Sequence, residues 1–467
     1  MMPAFRFPAF TGRLRGALSA LALLCLASSA GFAAPGTTAP TADLTTADRA
    51  STGIPAFPGA QGWAAHTPGG RGGKLLRVTT LKASGPGSLL EALNTPGPRI
   101  VVFEVGGVID LDRREVTISE PFLTVAGQTA PSPGITLIRG GIDVATHDVV
   151  LRHIRIRPGE AGVHKGGRWD VDALSTMTGA HDVIVDHCSL SWATDENLSA
   201  SGARFIGDTP DAWRESVSHR ITFSNNLIAE GLAHSTHAKG EHSKGSLIHD
   251  NVSDILIIGN LYAHNYERSA LFKGGARGLM VNNLIYDPGP RAVHYNLIRE
   301  EWGDHPRQTG RLGLIGNVLR AGPSTPDDLA LFMLGGSGDV DLYLHDNVAV
   351  DRLGRPLPPL GRYTTTSAKW NLAKTAPPLP YGVTPLPAEA VQDAVLEDVG
   401  ARPWDRDATD ARIVADTAEG RGRIIDSESD VGGYPADSAT YRAFVDSEWD
   451  MDTLMPKAGF PAKRRPK

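Results

Sequence analysis

One short phrase recurs along most of this chain and limits the folds that are open to it. Between residues 99 and 350 an apolar, strand-like segment is repeatedly followed by a bend, as in HRITFSNNLIA, SDILIIGNLYA and RGLMVNNLIYD. Asparagines mark these bends at intervals of 34, 23, 34 and 30 residues, at Asn226, Asn260, Asn283, Asn317 and Asn347. Irregular periods of this size are typical of a solenoid in which loops of different length leave each coil. The repeats predict an all-β fold, a single-domain right-handed parallel β-helix whose asparagines hydrogen-bond to one another along the bend.

The segments before the repeats predict export and a capped end. Residues 1–34 combine three arginines with the apolar run ALSALALLCLASSAGFAA and end in small residues, the pattern of a secretory signal peptide. Residues 35–52 have the small, polar composition of a flexible leader. The β-helix is expected over 53–352, with a short helix at 87–95, begun by Ser88, as its cap. The protein is therefore expected to be secreted, either to the periplasm or outside the cell.

The composition changes again after the last repeat. RLGRPLPPLGR and KTAPPLPYGVTPLP are rich in proline, which cannot donate a ladder hydrogen bond, so 353–467 is expected to wrap around the β-helix as a Pro-rich C-terminal segment. Within it, PAEAVQDAVLEDVGA predicts one amphipathic helix, and the acidic stretch that follows is expected to be irregular. The basic KRRPK terminus is expected to be a solvated end.

Charge and cysteine content narrow the possible partners. Removal of residues 1–34 takes away three arginines and no acid, so the net charge changes from -6 to -9. A net-negative protein is a poor ligand for nucleic acid or for an anionic membrane, and neither is expected as a partner. Cys188 is the one cysteine outside the signal peptide, so no internal disulfide can form. A polyanionic substrate would require local basic residues or a bridging cation.

Carboxylates flank the strand HDVIVDHCSLSW. Asp172 precedes this strand, and Asp195 and Glu196 follow it. Successive rungs of a coil stack about 4.8 Å apart, so acids on neighbouring rungs converge. Converging carboxylates suit a hard cation, and Ca²⁺ best of all. Solvated turn residues remain an equally simple interpretation of the same three acids.

Several motifs together resemble one enzyme family. FPGAQGW, GGRGGK, GPGSLLEAL, VAGQTAP, VDALST, VIVDHCSLSW and HSKGSLI are similar to motifs of the secreted bacterial pectate lyases of the parallel β-helix type. The resemblance implies that 53–352 is a pectate lyase domain acting as a monomer on polygalacturonate. It also implies Ca²⁺ as cofactor and β-elimination as the reaction.

The resemblance implies a set of calcium ligands. Asp172 matches the acid that precedes the I-D-H strand, and Asp195 matches the first of two acids that follow it. The second of those acids is replaced by Ser199, so Glu196 is expected to supply the missing charge. His187, within the I-D-H element, is expected to be a structural hydrogen-bonding residue.

The resemblance also assigns roles to basic residues. Lys244 in HSKGSLI matches the lysine that binds a substrate carboxylate, with Lys239 as a rival. In NYERSALFK, Arg268 matches the proposed catalytic base and Lys273 takes the place of a second, substrate-binding arginine. From the residues alone, Arg268 could instead be a surface ion-pair partner of Glu267 or of another neighbour.

Two alternatives to a lyase stay open at the level of sequence. A glycoside hydrolase on a similar coil would need a pair of acids and a directed water, and Asp195 and Glu196, being adjacent, would point to opposite faces if they were on a strand. A non-catalytic polysaccharide-binding β-helix would have the substrate-binding groove but no catalytic residues. His234, His237 and His242 form H-x₂-H-x₄-H, but on a Gly/Ser-rich loop, where support of a substrate groove is favoured over a zinc site.

Overall fold

A computed structural model describes residues 53–459. The signal peptide and leader expected over residues 1–52, and the basic end of the chain, lie outside the described residues. The described chain contains the strands β1 Lys74–Val78, β2 Arg99–Phe103, β3 Val105–Ile118, β4 Leu123–Ala126, β5 Ile135–Val144, β6 His147–Arg152, β7 Ile154–Arg157, β8 Leu174–Thr176, β9 His181–Asp186, β10 Ser189–Ser191, β11 Leu198–Ala200, β12 His219–Ser224, β13 Leu227–Ala229, β14 Leu247–Ile248, β15 Ser253–Ile258, β16 Leu261–Ala263, β17 Leu271–Lys273, β18 Arg277–Val281, β19 Leu284–Tyr286, β20 Val293–Leu297, β21 Gly310–Ile315, β22 Val318–Arg320, β23 Phe332–Gly336, β24 Val340–His345, β25 Val348–Val350, β26 Leu360–Arg362, β27 Trp370–Leu372 and β28 Thr440–Tyr441.

Apart from β28, which pairs antiparallel with β3, the strands form three parallel stacks that together make the predicted right-handed β-helix. Stack A has eleven strands in the order β1, β2, β4, β6, β9, β12, β15, β18, β21, β24 and β27. Stack B runs from the first halves of β3 and β5 through β7, β10, β13, β16, β19 and β22 to β25. Stack C runs from the second halves of β3 and β5 through β8, β11, β14, β17, β20 and β23 to β26. Each coil therefore contributes one rung to each stack, and the all-β prediction is confirmed.

Apolar side chains fill the inside of the coil in rows. On stack A, Val149, Val183, Ile221 and Ile255 occupy paired positions on successive rungs, and all four are fully buried. Such rows follow from the alternation of each strand, which turns every second side chain inward. The packing of like side chains is what replaces a disulfide in stabilising this fold.

The asparagines form the predicted ladder at the bend between stacks A and B. Each side-chain amide donates to the next asparagine's Oδ1, from Asn226 to Asn260 (3.0 Å), to Asn283 (2.9 Å), to Asn317 (2.9 Å) and to Asn347 (3.0 Å). Each also donates to a backbone carbonyl of the coil. The ladder satisfies polar groups of a buried bend that would otherwise lack partners.

Helices cover the ends and one face of the coil: α1 Leu89–Leu93, α2 Pro210–Ser216, α3 Arg299–Trp302, α4 Ala388–Asp398 and α5 Ala408–Glu419. The predicted capping helix is α1, whose N-cap Ser88 accepts a hydrogen bond from Glu91 N. No helix of the described chain has the length and apolar character that a membrane span requires.

The C-terminal region differs from expectation in two respects. The coil does not end at residue 352, because β26 pairs with β23 and β27 pairs with β24. One proline-rich linker lies between β25 and β26 and the other between β27 and α4, so neither interrupts a ladder. The irregular stretch expected after α4 contains a second helix, α5, with Asp407 as N-cap and Gly420 in a left-handed conformation after its last residue.

The two C-terminal helices pack against the outside of stack B. Val391 and Val395 of α4 and Ile413 of α5 share one apolar cluster with Leu227 and Leu261 of the rungs. Beyond α5, Phe444 and Trp449 reach the first coils and pack with Ile100 and Val102. The chain thus returns along the coil after its last rung.

Candidate active site

The candidate residues lie at the turns that lead into stack C on successive coils. Backbone hydrogen bonds join these turns from rung to rung: Ala173 N donates to Glu196 O (3.0 Å), and Asn197 N donates to Lys244 O (3.0 Å). Gly245 continues the series, since its N–H donates to Glu267 O (3.0 Å). A Cβ at Gly245 would lie 2.4 Å from the Arg268 carbonyl oxygen, so the close approach of these two coils requires glycine. The ladder brings together side chains that are up to 96 residues apart, from Asp172 to Arg268.

Three carboxylates converge at this edge as the sequence predicted. Asp172, Asp195 and Glu196 each place a carboxylate oxygen within 4.8 Å of the others. Glu196 N donates to Asp172 Oδ1 (2.8 Å), which fixes the two turns against each other. Asp195 and Glu196 lie in the turn before β11 and not on a strand, so the alternation that would place them on opposite faces of a strand does not apply to them. Turn geometry lets two adjacent side chains face one site.

Opposite pKa shifts separate Asp172 from Asp195. Burial, and then the charge of Asp195, raise the pKa of Asp172 well above its ordinary value, although a hydrogen bond from Ser199 acts in the other direction. Burial alone would also raise the pKa of Asp195, but the hydrogen bond and charge of His242 outweigh it and lower that pKa. Close carboxylates that repel one another in this way are a suitable environment for a cation.

The donor set fits a hard cation. Asp172, Asp195, Glu196 and Ser199 offer only oxygen atoms, and Ser199 is buried on β11 beside the turn that carries the acids. Oxygen ligands from carboxylates and hydroxyls suit Ca²⁺ better than a soft transition metal. Four side chains leave further coordination positions for water or for a substrate carboxylate.

Two histidines that the sequence analysis assigned only to a supporting loop hold Asp195. His242 Nε2 lies 2.8 Å from Asp195 Oδ1, and His237 Nε2 lies 3.7 Å from Asp195 Oδ2. The Lys239 backbone N–H donates to His237 Nδ1 (3.0 Å), so a neutral His237 carries its proton on Nε2, toward the carboxylate. His234 turns away to Asp426 (3.1 Å). The three histidines therefore do not converge, and the signal for this contact was the H-x₄-H pair on a loop adjacent to Lys244.

Arg268 lies against the acidic cluster. Its Nη1 contacts Glu196 Oε1, and its Nε is buried without a hydrogen-bond partner among residues 53–459. Burial lowers the pKa of Arg268 below its ordinary value, while the charges of Asp195 and Asp172 raise it in part. Glu267, the neighbour considered from sequence, pairs instead with Arg291. Arg268 is thus an inward-facing group of the site and not a surface ion pair.

Lys244 is at the site, and Lys239 is at its edge. The Lys244 ammonium contacts Glu241 and lies 4.5 Å from the centroid of the Tyr266 ring, with only 4% of the side chain exposed. Lys239 is exposed on the loop, and its ammonium has no ion pair within the part of the chain that is described. Of the two rivals, Lys244 is the one that the fold holds in place.

Lys273 has a different surrounding from the one expected. Its ammonium contacts Glu301 and lies 3.7 Å from Asp250, with only 7% of the side chain exposed. Arg204 also binds both acids, at 2.9 Å each. Lys273 therefore belongs to a buried ion-pair network one turn beyond Arg268.

Arg291 and two tyrosines near Arg268 were not found from the sequence. The Arg291 guanidinium lies 4.7 Å from the centroid of the Tyr363 ring. Tyr363 follows β26, a strand within the segment expected to wrap around the coil, and Tyr266 precedes Arg268 on its own turn. A tyrosine three coils away has no local sequence signal, because the stacking order alone brings it near.

His187 is placed away from these groups, at the bend between stacks A and B. Its Nδ1 lies 2.8 Å from Asp186 Oδ2, and its ring stacks on His153 at 5.0 Å. Burial opposes its charge, but Asp186 outweighs burial and raises the pKa of His187 to about 9. These contacts fit the structural role expected for it.

The sequence is similar to those of known pectate lyases. No model of a known protein family matches the chain. A probable pectate lyase C of Neosartorya fischeri is 34% identical over 396 residues, which cover 82% of this chain and 82% of that protein. A probable pectate lyase C of Aspergillus terreus is 32% identical over 406 residues, 85% of each chain. The chain belongs to the pectate lyase family.

Solved structures bear out the fold. The major cedar pollen allergen jun a 1 matches with a TM-score of 0.51 and 15% identity over 73% of this chain and 92% of the allergen. The thermostable pectate lyase PL 47 matches with a TM-score of 0.50 and 14% identity over 73% of this chain and 97% of that one. The relatives of higher identity are fungal, so the family is assigned without the bacterial source that the motifs suggested.

Proposed function

We propose that this chain is a secreted, calcium-dependent pectate lyase that cleaves α-1,4-polygalacturonate by β-elimination and releases unsaturated oligogalacturonates. Membership of the pectate lyase family supports the activity and the substrate. The observation that carries the proposal is the position of Arg268, whose buried guanidinium lies against three converging carboxylates. Such an arrangement joins a candidate base to a candidate cation site.

Arg268 is the proposed base. Elimination begins with loss of the proton on C5 of a uronate unit, and negative charge then develops on the neighbouring carboxylate. The neutral guanidine that must accept this proton is rare in water. Burial lowers the pKa of Arg268 and so reduces the free energy needed to reach the neutral form. Lys244 is the proposed partner of the substrate carboxylate, with Lys273 and Lys239 as further substrate-binding candidates.

Asp172, Asp195, Glu196 and Ser199 are the proposed holders of Ca²⁺. When bound, the ion would stabilise the charge that develops on the substrate carboxylate. Glu196 belongs both to the carboxylate cluster and to the contact with Arg268. Withdrawal of Glu196 from Arg268 would remove an anionic partner of the guanidinium and so favour the neutral guanidine that can accept the proton on C5.

Three cations at or near the proposed site are each paired with a glutamate of the chain itself. Glu241 contacts Lys244, Glu301 contacts Lys273 and Glu267 contacts Arg291. A substrate with a carboxylate on every sugar can exchange with these glutamates one for one, whereas a neutral polysaccharide cannot. The pairs thus favour a polyuronate over a neutral glycan.

The decisive assay is the absorbance of an unsaturated product. Polygalacturonate incubated with the enzyme and Ca²⁺ should gain ultraviolet absorbance from the new double bond, and chelator should abolish it. Asp172 and Asp195, with their pKa values displaced in opposite directions, could also serve a hydrolase as acid and base. New reducing ends without a gain in absorbance would support hydrolysis. Binding of polygalacturonate without new reducing ends would mean that the protein is a non-catalytic binding module.

The cation site should be weak until substrate arrives. Three acids and a serine under-ligate an ion that prefers six to eight oxygens, and substrate carboxylates would complete the shell. Calorimetric titration should give tighter Ca²⁺ binding in the presence of an oligogalacturonate, and Asp195→Ala should remove activity at limiting Ca²⁺. Full activity of that variant would contradict the assignment.

Export and chain organisation complete the proposal. Residues 1–34 are the proposed signal peptide, 35–52 a leader, 53–372 the β-helix with the proposed catalytic residues, and 373–467 the wrapping segment. The protein is proposed to act as a monomer outside the membrane. N-terminal sequencing of the exported protein should begin at Pro35. An unprocessed N-terminus on an active, exported protein would contradict the cleavage site.

A further inference from the structure

A second concave site lies on the outer face of stack A, away from the turns that carry Arg268. It is a cavity of about 410 Å³ between the rungs β15, β18, β21 and β24 and two segments that cross them, one bearing Trp63 and the other Pro377. This volume lies in the range of sites that hold a small ligand. The catalytic proposal uses none of its residues.

The wall of the cavity is apolar and aromatic. Leu279 and Gly313 are paired on adjacent rungs with Tyr343 on the next, and all three face outward with Trp63 beside them. A Cβ at Gly313 would lie 2.6 Å from Leu279 Cδ2 and 3.2 Å from Pro377 Cγ, so glycine lets the crossing segment approach the rungs. Flat apolar surfaces beside aromatic rings suit the faces of a pyranose.

The rim of the cavity carries a forked cation without a close partner. Arg277 forms no ion pair within 4.0 Å among the described residues, and its Nε is buried without a hydrogen bond. Burial, and then the charges of Arg214 and Arg311, lower the pKa of Arg277. Within residues 53–459, the one ion pair of Arg311 is a long one, with Asp341 at 3.9 Å.

An arginine two coils earlier has the carboxylate partner that Arg277 lacks. Arg220 occupies the same outward column, and Asp182 accepts two hydrogen bonds from it at 2.8 Å and 2.6 Å. Asp254 lines the cavity near Arg277 but does not close such a pair. A carboxylate from outside the chain would supply the bidentate partner that Arg277 lacks.

We propose that this cavity is a non-catalytic binding site for a galacturonate unit, with the sugar face on Trp63 and Tyr343 and its carboxylate on Arg277. The choice of galacturonate as the uronate rests on the proposed function. The site faces a different side of the coil from Arg268, so a polymer bound there leaves the catalytic groove free. Its effect would be to hold the enzyme on pectate between cleavage events.

The test measures retention of the full enzyme on a pectate gel in chelator, which prevents turnover. Arg277→Gln should weaken retention about tenfold, the loss expected for one charge-assisted contact, and Trp63→Ala should weaken it by about the same factor because the stacked ring is lost. Arg220→Gln is the matched control and should be retained as the wild type is. Circular dichroism checks that each variant is folded, and cleavage of short oligogalacturonates should be unchanged in all three.

Each outcome bears on one proposal only. Wild-type retention of both Arg277→Gln and Trp63→Ala would overturn the binding site. Equal retention of the wild type on a neutral galactan gel, lost in Arg277→Gln, would overturn the uronate assignment. A wild type that is retained through Arg277 but never produces unsaturated ends would overturn the lyase proposal and leave this site standing.

Discussion

Arg268 combines three properties that seldom occur together in an arginine. It is largely buried, and its Nε has no hydrogen-bond partner within residues 53–459. Its Nη1 contacts Glu196, which also belongs to the cluster of three carboxylates. A surface arginine is tolerant of replacement by lysine, since exposed ion pairs contribute less than about 1 kcal/mol. An arginine that acts as a positioned base does not tolerate replacement by lysine, because the geometry and the proton affinity of the side chain both change.

Arg268→Lys should therefore lower kcat about 10²- to 10⁴-fold, the range for loss of a positioned general base. The effect should be larger on kcat than on KM, because the proton moves only in the transition state. Steady-state kinetics on polygalacturonate at saturating Ca²⁺ measure both. Arg220→Lys, at an exposed pair with Asp182, is the control and should keep wild-type kinetics. Near wild-type turnover of a folded Arg268→Lys enzyme would move the base elsewhere, first to Lys244 or Lys239.

Asp143 makes the stability of the fold near the carboxylate cluster depend on pH when no cation is bound. It occupies the rung position of stack C that is paired with Ser175, and Ser175 is paired in turn with Ser199. Burial, and then the charge of Glu115, raise the pKa of Asp143 to about 6. The folded state then binds the proton more tightly than the unfolded state, so this group reduces stability as pH rises from about 4 to about 6.

Asp143→Asn should accordingly raise the melting temperature at pH 8 without Ca²⁺, and the gain should vanish below about pH 4. Asp110→Asn is the control with the opposite sign. Although burial opposes it, Arg139 lowers the pKa of Asp110, so that variant should lose stability above pH 4. Thermal melts at the two pH values measure both effects, and equal shifts at pH 4 and pH 8 would contradict the charge explanation for Asp143.

The extent of prediction from sequence differs among the site residues for a physical reason. Asp172, Asp195, Lys244 and Arg268 occur beside recognisable strands, and a parallel coil brings the ends of its rungs together whatever the loop lengths are. The contact of His242 with Asp195 depends on the path of one loop, which no periodicity encodes. Tyr363 enters the site only because the coil continues past the boundary expected at 352.

At the scale of elements, the asparagine ladder sets the bend between stacks A and B. Asn283 is fully buried, donates to Ile257 O (2.9 Å) and Asn317 Oδ1 (2.9 Å), and accepts from Asn260 N (3.0 Å) and Asn260 Nδ2 (2.9 Å). Its removal leaves several buried polar groups without partners at once. Each such group costs about 1–3 kcal/mol.

Asn283→Ala should thus lower the free energy of unfolding by about 3 kcal/mol or more. Asn347→Ala is the matched control at the half-buried end of the same ladder, where water can replace the lost bonds, and should cost about 1 kcal/mol. Denaturant titrations of the two variants give the comparison. Equal losses at the two positions would mean that burial does not set the strength of the ladder.

Element boundaries were the weaker part of the prediction. Rungs with alternating apolar residues, and α1 with its Ser88 cap, carry local signals that suffice. The segment ATDARIVADTAE has only two large apolar residues, and it was expected to be irregular although Asp407 and Gly420 bracket it as caps. Its helix is stabilised by what it packs against, because Ile413 and Val414 are buried on stack B.

At the scale of the whole molecule, buried ion pairs join the C-terminal helices to the coil. Arg157 of β7 donates to Asp407 Oδ2 (2.7 Å) and to Asp410 Oδ1 (2.8 Å). Arg155 Nε and Ser189 Oγ both donate to Asp410 Oδ2, at 3.2 Å and 2.7 Å. Both arginines and Asp410 are fully buried, so none of these charges has water as an alternative partner.

This junction also connects to the candidate active site. Beyond α5, Ala233 N donates to Ile425 O (3.0 Å), and His234 pairs with Asp426. The same loop continues to His242 and Lys244. The returning chain therefore supports the loop that holds Asp195, although it contributes no group to the carboxylate cluster.

Asp410→Ala should lower the free energy of unfolding by about 3–5 kcal/mol, because it leaves two buried arginines, Arg155 and Arg157, to share Asp407 as a carboxylate partner. Glu448→Ala is the control: it removes an exposed partner of the exposed Arg442 and should cost less than about 1 kcal/mol. Denaturant unfolding measures both losses, and limited proteolysis should show earlier cleavage around α5 in Asp410→Ala alone. Activity should fall with the fraction of molecules in which the 231–245 loop is no longer supported. A loss of less than about 1 kcal/mol in Asp410→Ala would mean that apolar packing on stack B holds the helices without the ion pairs. The fold should then tolerate hydrophobic residues in place of all four charged ones, Arg155, Arg157, Asp407 and Asp410.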